Sequence, residues 1–522
     1  MLNTSFKILL NFVFGGLINM NERPTENSWI PLIVVACASF IIILDKSFMN
    51  VSISHIVVDL NTDVSTIQMI VSFYTLITAA LILFSTKLQD IVDKKKLFII
   101  GAILFGIGTF TTVISLNTIM FFIGWSAIDG VAGALMLPAV VSIISGTYSG
   151  KKRTFALATV AIVTAIADVF APLLGGVITT YFSWRYTFAV ELIIIFFILG
   201  MQNKIPNFKP TESKNDLDII GAIISIVGLV LLVLGILTLN NKVNISIIEI
   251  VLGLLVLVTF IWYELKRKRT GKVPLLDVDL LRDKNLRVGV SIKLLYNLII
   301  SGTLFVLVLF FQSVWQLNPF DTGLATIPFC MGLLIFSLIA PRLIGKRNHK
   351  RILAIGCIIS IVGCLILSYQ FKLNTTMFDL IPGQFLLGAG LGFMMALTVD
   401  VALFDIPAES QNNASGIVST GDTLGSSLGT AIIGIILILG VVGGISTAVD
   451  TYAPSYSGDV HFHQEVYNHF QKLDTIDTQD SIAVNTADII IQNTMASVMY
   501  VLAALLGVIL ILTMWIKNKT IK

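Results

Sequence analysis

"TKLQDIVDKKKLFIIG" (86–101) and "PRLIGKRNHKRILAIG" (341–356) lie 255 residues apart and align without a gap. They share a leucine at the third position, a basic cluster and a closing glycine. The same shift of 255 carries the first apolar segment of the chain onto the ninth, and the fifth onto the thirteenth. The sequence is therefore built of two related halves with an insertion between them.

Composition says what medium those halves occupy. Of 522 residues, 56% are hydrophobic and only 12% charged, with a mean hydropathy of +0.91. A soluble chain of this size carries about 25% charged residues, so no soluble core hides this much apolar surface. The expectation is an all-α polytopic membrane protein, whose backbone polar groups are satisfied within helices. Apolar runs near 31–54, 66–86, 97–115, 118–145, 155–182, 186–203, 219–239, 245–263, 288–312, 322–342, 351–369, 379–402, 415–445 and 493–516 make fourteen segments. Each is close to the roughly 20 residues a bilayer requires. Cys37, Cys330, Cys357 and Cys364 all fall in these runs and read as small core residues, with no disulfide implied.

Charge distribution sets the orientation. Both termini and the loops after segments 2, 4, 6, 8, 10 and 12 hold 28 of the 34 lysines and arginines. The opposite loops hold Arg185, Lys242, Lys372 and Lys472, and Lys46 and Lys293 lie inside segments. By the positive-inside rule both termini are cytoplasmic, and richness in Lys, Ile and Asn points to a prokaryotic plasma membrane. The layout expected is a cytoplasmic segment 1–30, a six-helix bundle 31–203, two inserted helices 204–263 and a basic cytoplasmic loop 264–287. A second six-helix bundle, 288–516, carries an extracellular loop 446–492, and a cytoplasmic tail 517–522 ends the chain. The first nineteen residues read as a start-site artefact or an amphipathic lead, because Met20 opens a more ordinary cytoplasmic start. His461, His463 and His469 sit on the polar outer loop without tetrahedral spacing, and no metal site is expected there.

Internal symmetry of this kind is the mark of secondary transporters, whose halves rock about a central site. The fifth segment adds "VFAPLLGG" (169–176), with Asp168 just before it. Proline costs a helix interior about 3 kcal/mol and glycine nearly 1 in water. In lipid, small residues let helix backbones approach, and neighbouring helices re-satisfy the groups a proline frees. Ala171, Pro172, Gly175 and Gly176 thus give segment 5 a flat face, and Gly421, Gly425 and Gly429 repeat every four residues on segment 13. The expectation is that these two seams pack the contact surfaces of the halves; ordinary tight packing without a hinge is the alternative.

At this level of detail the chain resembles the fourteen-helix drug:proton antiporters of the major facilitator superfamily. "LDKSFMNVS" (44–52) is similar to the first-helix motif, with Asp45 and Asn50. "TKLQDIVDKKK" is similar to the cytoplasmic loop after helix 2: Asp90, Lys94 and Lys95 fit, while Thr86 and Asp93 replace glycines and Ile91 an arginine. "FAPLLGG" with "WRYTF" downstream resembles the antiporter motif, Ala171 standing for a glycine, and "ASGIVSTGDTLGSSLG" (414–429) resembles helix 13. "WSAIDGVAGALMLPA" (125–139) departs from the helix-4 pattern, having Ser126 and Asp129 where the family has an arginine and a glutamine. The resemblance implies that this arginine handles protons, so its absence bears on coupling and leaves the fold expectation intact.

Ionisable groups inside spanning helices are expensive and mark function. The set here is Asp45 with Lys46, Asp129, Asp168, Glu191, Lys293, Asp400 and Asp422. Lys293 is expected to snorkel toward Arg287, Asp400 lies near its helix end, and Glu191, six residues from Arg185, is expected to reach outer water. Asp45, Asp129 and Asp168 form the deep set, with Asp422 toward the inner half of segment 13. Sequence neighbours point about 100° apart on a helix, so Asp45 is expected to face a cavity rather than pair with Lys46. Asp129 reads equally well as a structural carboxylate. Trp125, Trp315, Phe310 and Phe311 are candidates to line a pocket for flat cations, or packing residues.

The function expected is export of small hydrophobic or cationic drugs in exchange for protons by alternating access, a role tied to antibiotic resistance, performed by a monomer. Asp45, Asp129, Asp168 and Asp422 would couple protons to substrate, and Asp90 with Lys94 and Lys95 would latch one state. The alternative is a narrow-specificity transporter of a metabolite, siderophore or lipid-like compound. An ATP pump is disfavoured because "GTYSGKK" (146–152) lacks Walker A spacing. No enzyme activity, cofactor, catalytic constellation or nucleic-acid partner is expected.

Overall fold

The computed structural model describes residues 28–148, 150–208, 218–238, 243–272, 274–344, 349–372, 375–403, 406, 411–452 and 481–516. Within them lie fourteen long helices: α1 (Ile30–Asp59), α2 (Val64–Ile91), α3 (Lys94–Val113), α4 (Thr118–Thr147), α5 (Gly150–Tyr181), α6 (Trp184–Gly200) and α7 (Ile219–Leu237). The second part of the chain adds α8 (Val243–Arg269), α9 (Lys284–Val314), α10 (Pro319–Ile344), α11 (His349–Gln370), α12 (Met377–Leu403), α13 (Gln411–Tyr452) and α14 (Ser481–Met514). Twelve are long and apolar enough to cross a membrane. Of the other two, α6 has 17 residues and α5 carries its apolar stretches as Phe155–Thr164 and Phe170–Tyr181.

Short polar residues decide where many helices begin. Asp63, Asp93, Asn117, Ser183, Asp218 and Asp283 each accept a hydrogen bond from a first-turn backbone N–H, satisfying a donor that has no partner inside the helix. Two boundaries differ from the sequence expectation. The outer loop 446–492 begins and ends as helix, because α13 runs to Tyr452 and α14 starts at Ser481. The reason is packing, since Gly440 and Gly444 of α13 admit Thr494 and Ile490 of α14 at close range. Likewise the basic loop 264–287 is helical at both ends, in α8 and α9.

The repeat is visible in the packing. α1 packs on α5 as α9 packs on α13, α3 on α4 as α11 on α12, α2 on α4 as α10 on α12, and α3 on α6 as α11 on α14. The closing glycines of the two quoted stretches occupy matching places. A Cβ on Gly101 would meet Met136 of α4, and one on Gly356 would meet the Gly390 carbonyl at 2.7 Å and Met394 of α12. Between halves, α2 lies along α13 and α5 along α10, each pair the symmetry counterpart of the other. The inserted pair α7–α8 packs on itself and wedges against both α2 and α13. Leu229 and Val233 of α7 sit on Leu76 and Ala80 of α2, with Leu424 and Leu428 of α13 packed alongside. On α8, Ile247, Ile248, Val251, Leu255 and Val258 stay exposed, an apolar face suited to acyl chains.

The expected role of the two small-residue seams needs correction. Gly425 and Gly429 abut the carbonyls of Leu294 and Leu298 on α9, and Gly175 faces Phe48 on α1 at 2.8 Å, so these glycines tighten contacts inside each half. Only Gly176 of the group faces across, with a Cβ position 2.5 Å from the Pro319 carbonyl of α10. Gly323 of α10 returns the contact, 2.7 Å from the carbonyl of Pro172. One face of a helix cannot serve both neighbours, and the i, i+4 glycine row happens to lie toward the partner in its own half. The α2–α13 seam is polar instead. Gln68 Nε2 donates to the Thr430 carbonyl at 2.8 Å, Ser72 and Thr430 hydroxyls lie 3.1 Å apart, and Ser427 Oγ donates to the Ser72 carbonyl at 3.1 Å.

Candidate functional site

α4 is the element that builds the site. After a short start capped by Asn117, Phe122–Ile128 form a π-helical turn before the regular helix resumes at Asp129. A π-turn inserts one extra residue and rotates the part of the helix before it relative to the part after it, a device frequent at functional sites. Here it turns Trp125 and Ser126 toward α1 and α2, and Asp129 toward α3. Trp125 Nε1 donates to Asp45 Oδ1 at 2.7 Å. The same indole stacks on Tyr74 of α2 with ring centroids 4.6 Å apart. Ser126 Oγ donates to the Ile70 carbonyl at 3.0 Å, so the residue standing in the arginine's place ties α4 to α2.

Asp45, Asp129 and Glu191 are all fully buried within α1–α6. Tyr74 stands within hydrogen-bonding reach of Asp45 and Thr109 of Asp129, while both oxygens of Glu191 have no hydrogen-bond partner. An unsatisfied buried polar group costs about 1–3 kcal/mol, and more when charged. Three buried carboxyl groups in one half lower stability, and ionisable groups inside spanning helices are candidate functional groups for that reason. Asp129 lies against Gly108, where a Cβ would collide with its carboxyl group. Lys46 brings a positive charge to the cluster, its Nζ 5.7 Å from the centre of the Tyr74 ring.

At the far end of the same half, Arg185 pairs with Asp59, lies over the Trp184 ring at 4.3 Å and donates to the Ser115 carbonyl at 2.7 Å. Trp184 Nε1 also donates to Asp59 at 3.1 Å. This knot ties the end of α1, the end of α3 and the start of α6.

Several expectations change against this geometry. Asp45 is enclosed against Trp125 rather than open to a cavity. Glu191 does not reach water; it is sealed inside the bundle, because its side of α6 packs on α1 and α3. Spacing from Arg185 gave its depth but not the direction it faces. Lys293 does not snorkel but pairs with Asp422 at 3.2 Å and lies 5.2 Å from the Tyr296 ring centre. Asp422 is thus salt-bridged across α9 and α13. Trp125, Phe310 and Phe311 are packing residues within the core, and Phe310 and Phe311 cluster with Trp315. Lys94 and Lys95 occupy the first turn of α3, where Asp93 Oδ1 caps Lys95 N at 2.8 Å. The side chains of Asp90, Asp168 and Asp400 lie outside the described residues, as do His461, His463, His469 and residues 1–27. Asp59 and Tyr74 were missed by sequence reasoning; the Asp59–Arg185 pair carried a weak signal, being opposite charges at the outer ends of their segments.

Comparison with known proteins places this architecture. The Major Facilitator Superfamily profile matches residues 35–430. A protein named probable actinorhodin transporter, from Streptomyces coelicolor, is 26% identical over 81% of this chain and 75% of that protein. Riboflavin transporter RibZ of Clostridioides difficile is 26% identical over 78% and 87%, and quinolone resistance protein NorB of Staphylococcus aureus 29% over 72% and 81%. A solved structure titled for substrate recognition in proton-dependent oligopeptide transporters covers 93% of this chain and 98% of its own, at TM-score 0.59 and 15% identity. A D-xylose–proton symporter covers 77% and 89% at TM-score 0.55 and 14% identity. These structures establish the fold.

Proposed function

The chain belongs to the Major Facilitator Superfamily, and from that premise we propose that it exports hydrophobic, cationic compounds across a prokaryotic plasma membrane in exchange for protons. All fourteen helices cross the bilayer in this reading, with both termini cytoplasmic and the segment 453–480 outside. The observation that carries it is the buried Asp45–Trp125 pair with Asp129 behind it. A buried carboxylate whose charge is not solvated binds a proton readily and gives it up when another state of the cycle lets water reach it. A cationic substrate competes for the same negative charge, which links export of one to import of the other. Relatives named for resistance to quinolones and puromycin support the substrate class. Asp90, with Lys94 and Lys95, acts as the latch on the cytoplasmic side, Asp168 recognises positive charge, and Asp422 serves the second half.

The test is transport by purified protein in proteoliposomes with ethidium as substrate. Wild type is expected to accumulate ethidium against its gradient when driven by ΔpH alone. Asp45→Asn is expected to abolish that drive while inserting normally. Uphill export by Asp45→Asn under ΔpH refutes the assignment. A second reading, a transporter of one metabolite, is favoured by the likeness to a riboflavin transporter; saturable transport of riboflavin with no response to ethidium selects it.

A further inference from the structure

The start of α6 and the end of α3 are fixed side by side by the hydrogen bond from Arg185 Nη2 to the Ser115 carbonyl. The helices run antiparallel from there, and a Cβ on Gly106 of α3 would meet Ile195 of α6 at 3.3 Å. At equal rises inward along both helices, Glu191 falls level with Thr109. Thr109 also borders Asp129, its buried hydroxyl within hydrogen-bonding reach of that carboxyl group. The interior of the first half therefore holds a row of buried polar atoms with few partners beyond one another: Glu191 Oε1 and Oε2, Thr109 Oγ1 beside the Asp129 carboxyl group, and Tyr74 OH beside that of Asp45. Three acids buried in a spanning bundle are costly, and alanine or leucine would fill the same space at less cost.

We propose that Glu191 takes up the transported proton from the Arg185–Asp59 end and passes it through Asp129 to Asp45, inside the first half and apart from the substrate path between the halves. This rests on the proton-coupled reading above. In each hop one carboxyl O–H bond breaks and one forms on the next carboxylate, so a proton moves inward and a negative charge moves outward. Thr109 and Tyr74 hydroxyls, or a water held among these groups, bridge the gaps. Glu191 lies about 9 Å along α6 from Arg185; it is sealed here, so it takes up the proton when that end opens to water in another state of the cycle. The charged and titratable groups facing it are few. α1 brings Asp45 and Lys46, α2 Tyr74 and α4 Asp129; α3 brings none between Leu97 and Val113, and on α5 the Asp168 side chain lies outside the described residues.

The experiment compares wild type, Glu191→Gln and Glu191→Asp in proteoliposomes by two assays: ΔpH-driven ethidium uptake, and ethidium exchange at equal pH, which needs no proton movement. Expected is a tenfold or greater loss of ΔpH-driven uptake in Glu191→Gln, with exchange within twofold of wild type and the drive restored by Glu191→Asp. ΔpH-driven uptake by Glu191→Gln at the wild-type rate overturns the route and leaves the parent reading standing. Parallel loss of exchange and drive in Glu191→Gln, with Glu191→Asp equally inert, overturns it too, since Glu191 is then a structural or substrate residue. Wild type that exchanges ethidium but ignores ΔpH removes the proton-coupled reading and the route with it.

Discussion

The indole of Trp125 donates its only polar hydrogen to Asp45 at 2.7 Å, across from one helix to another and with neither group exposed. This bond sets which way Asp45 points, and the π-turn of α4 sets which way Trp125 points.

Replacing the donor tests that order. Trp125→Phe keeps an aromatic ring against Tyr74 but leaves Asp45 Oδ1 without its partner. The bond is worth about 1.5–3 kcal/mol if the acceptor is charged, so a fall in thermal midpoint of a few degrees is expected. ΔpH-driven ethidium uptake is expected to fall several-fold, more than equilibrium ethidium binding does. Equal losses in uptake and binding indicate that Trp125 holds substrate rather than Asp45.

Gly176 tests the seam between the halves. A Cβ there would lie 2.5 Å from the Pro319 carbonyl, a contact that backbone cannot relieve by rotating a side chain. Forcing bulk into a packed contact costs about 1–3 kcal/mol. Gly176→Val is expected to insert at wild-type levels yet lose most transport, because it opposes the state in which α5 and α10 touch. Cysteine cross-linking between 180 and 320, whose residues meet through Phe320 N and Thr180 Oγ1 at 3.1 Å, is expected to drop in parallel.

A pH effect is expected in the loop between α8 and α9. Lys268 Nζ holds Asp277 at 2.6 Å and Asp279 at 2.7 Å. The Lys268 ammonium pulls the Asp279 carboxyl below its ordinary value. A depressed carboxylate stabilises the fold above its unfolded pKa of about 3.9 and ceases to do so as pH falls through its lower folded value. The clip is therefore closed at neutral pH and opens only in strong acid. Hydrogen exchange at Leu280–Arg282 is expected to stay slow from pH 7 down to about pH 4, after correction for the intrinsic rate. Lys268→Met is expected to speed it at pH 7.

Much of the architecture was legible in the sequence because lipid makes hydropathy nearly decisive: all fourteen apolar runs coincide with long helices. The half-repeat was legible too, since basic loops recur where the same turn must face the same side. Facing was not. Lys293 and Asp422 lie 129 positions apart, and nothing in either segment announces that α9 packs on α13 with those side chains opposed. Glu191 was misjudged for a related reason: rise along a helix is fixed at about 1.5 Å per residue, whereas azimuth depends on neighbours that only the packing reveals. The π-turn of α4 was invisible for the same cause, having no proline or glycine pair to mark it apart from Gly124.

The α2–α13 seam differs from the interior of each half in what it asks of a neighbour. Within a half, Phe48, Met136 and Leu294 fit into backbone notches, and pulling such a contact apart would bare hydrocarbon at about 25 cal/mol per Å². Across the α2–α13 line the partners are hydroxyls, an amide and carbonyls. Water replaces each of those bonds at a net loss of only about 0.5–1.5 kcal/mol. Along the α2–α13 line the molecule thus carries a perforation between its halves, where solvent can enter in place of protein.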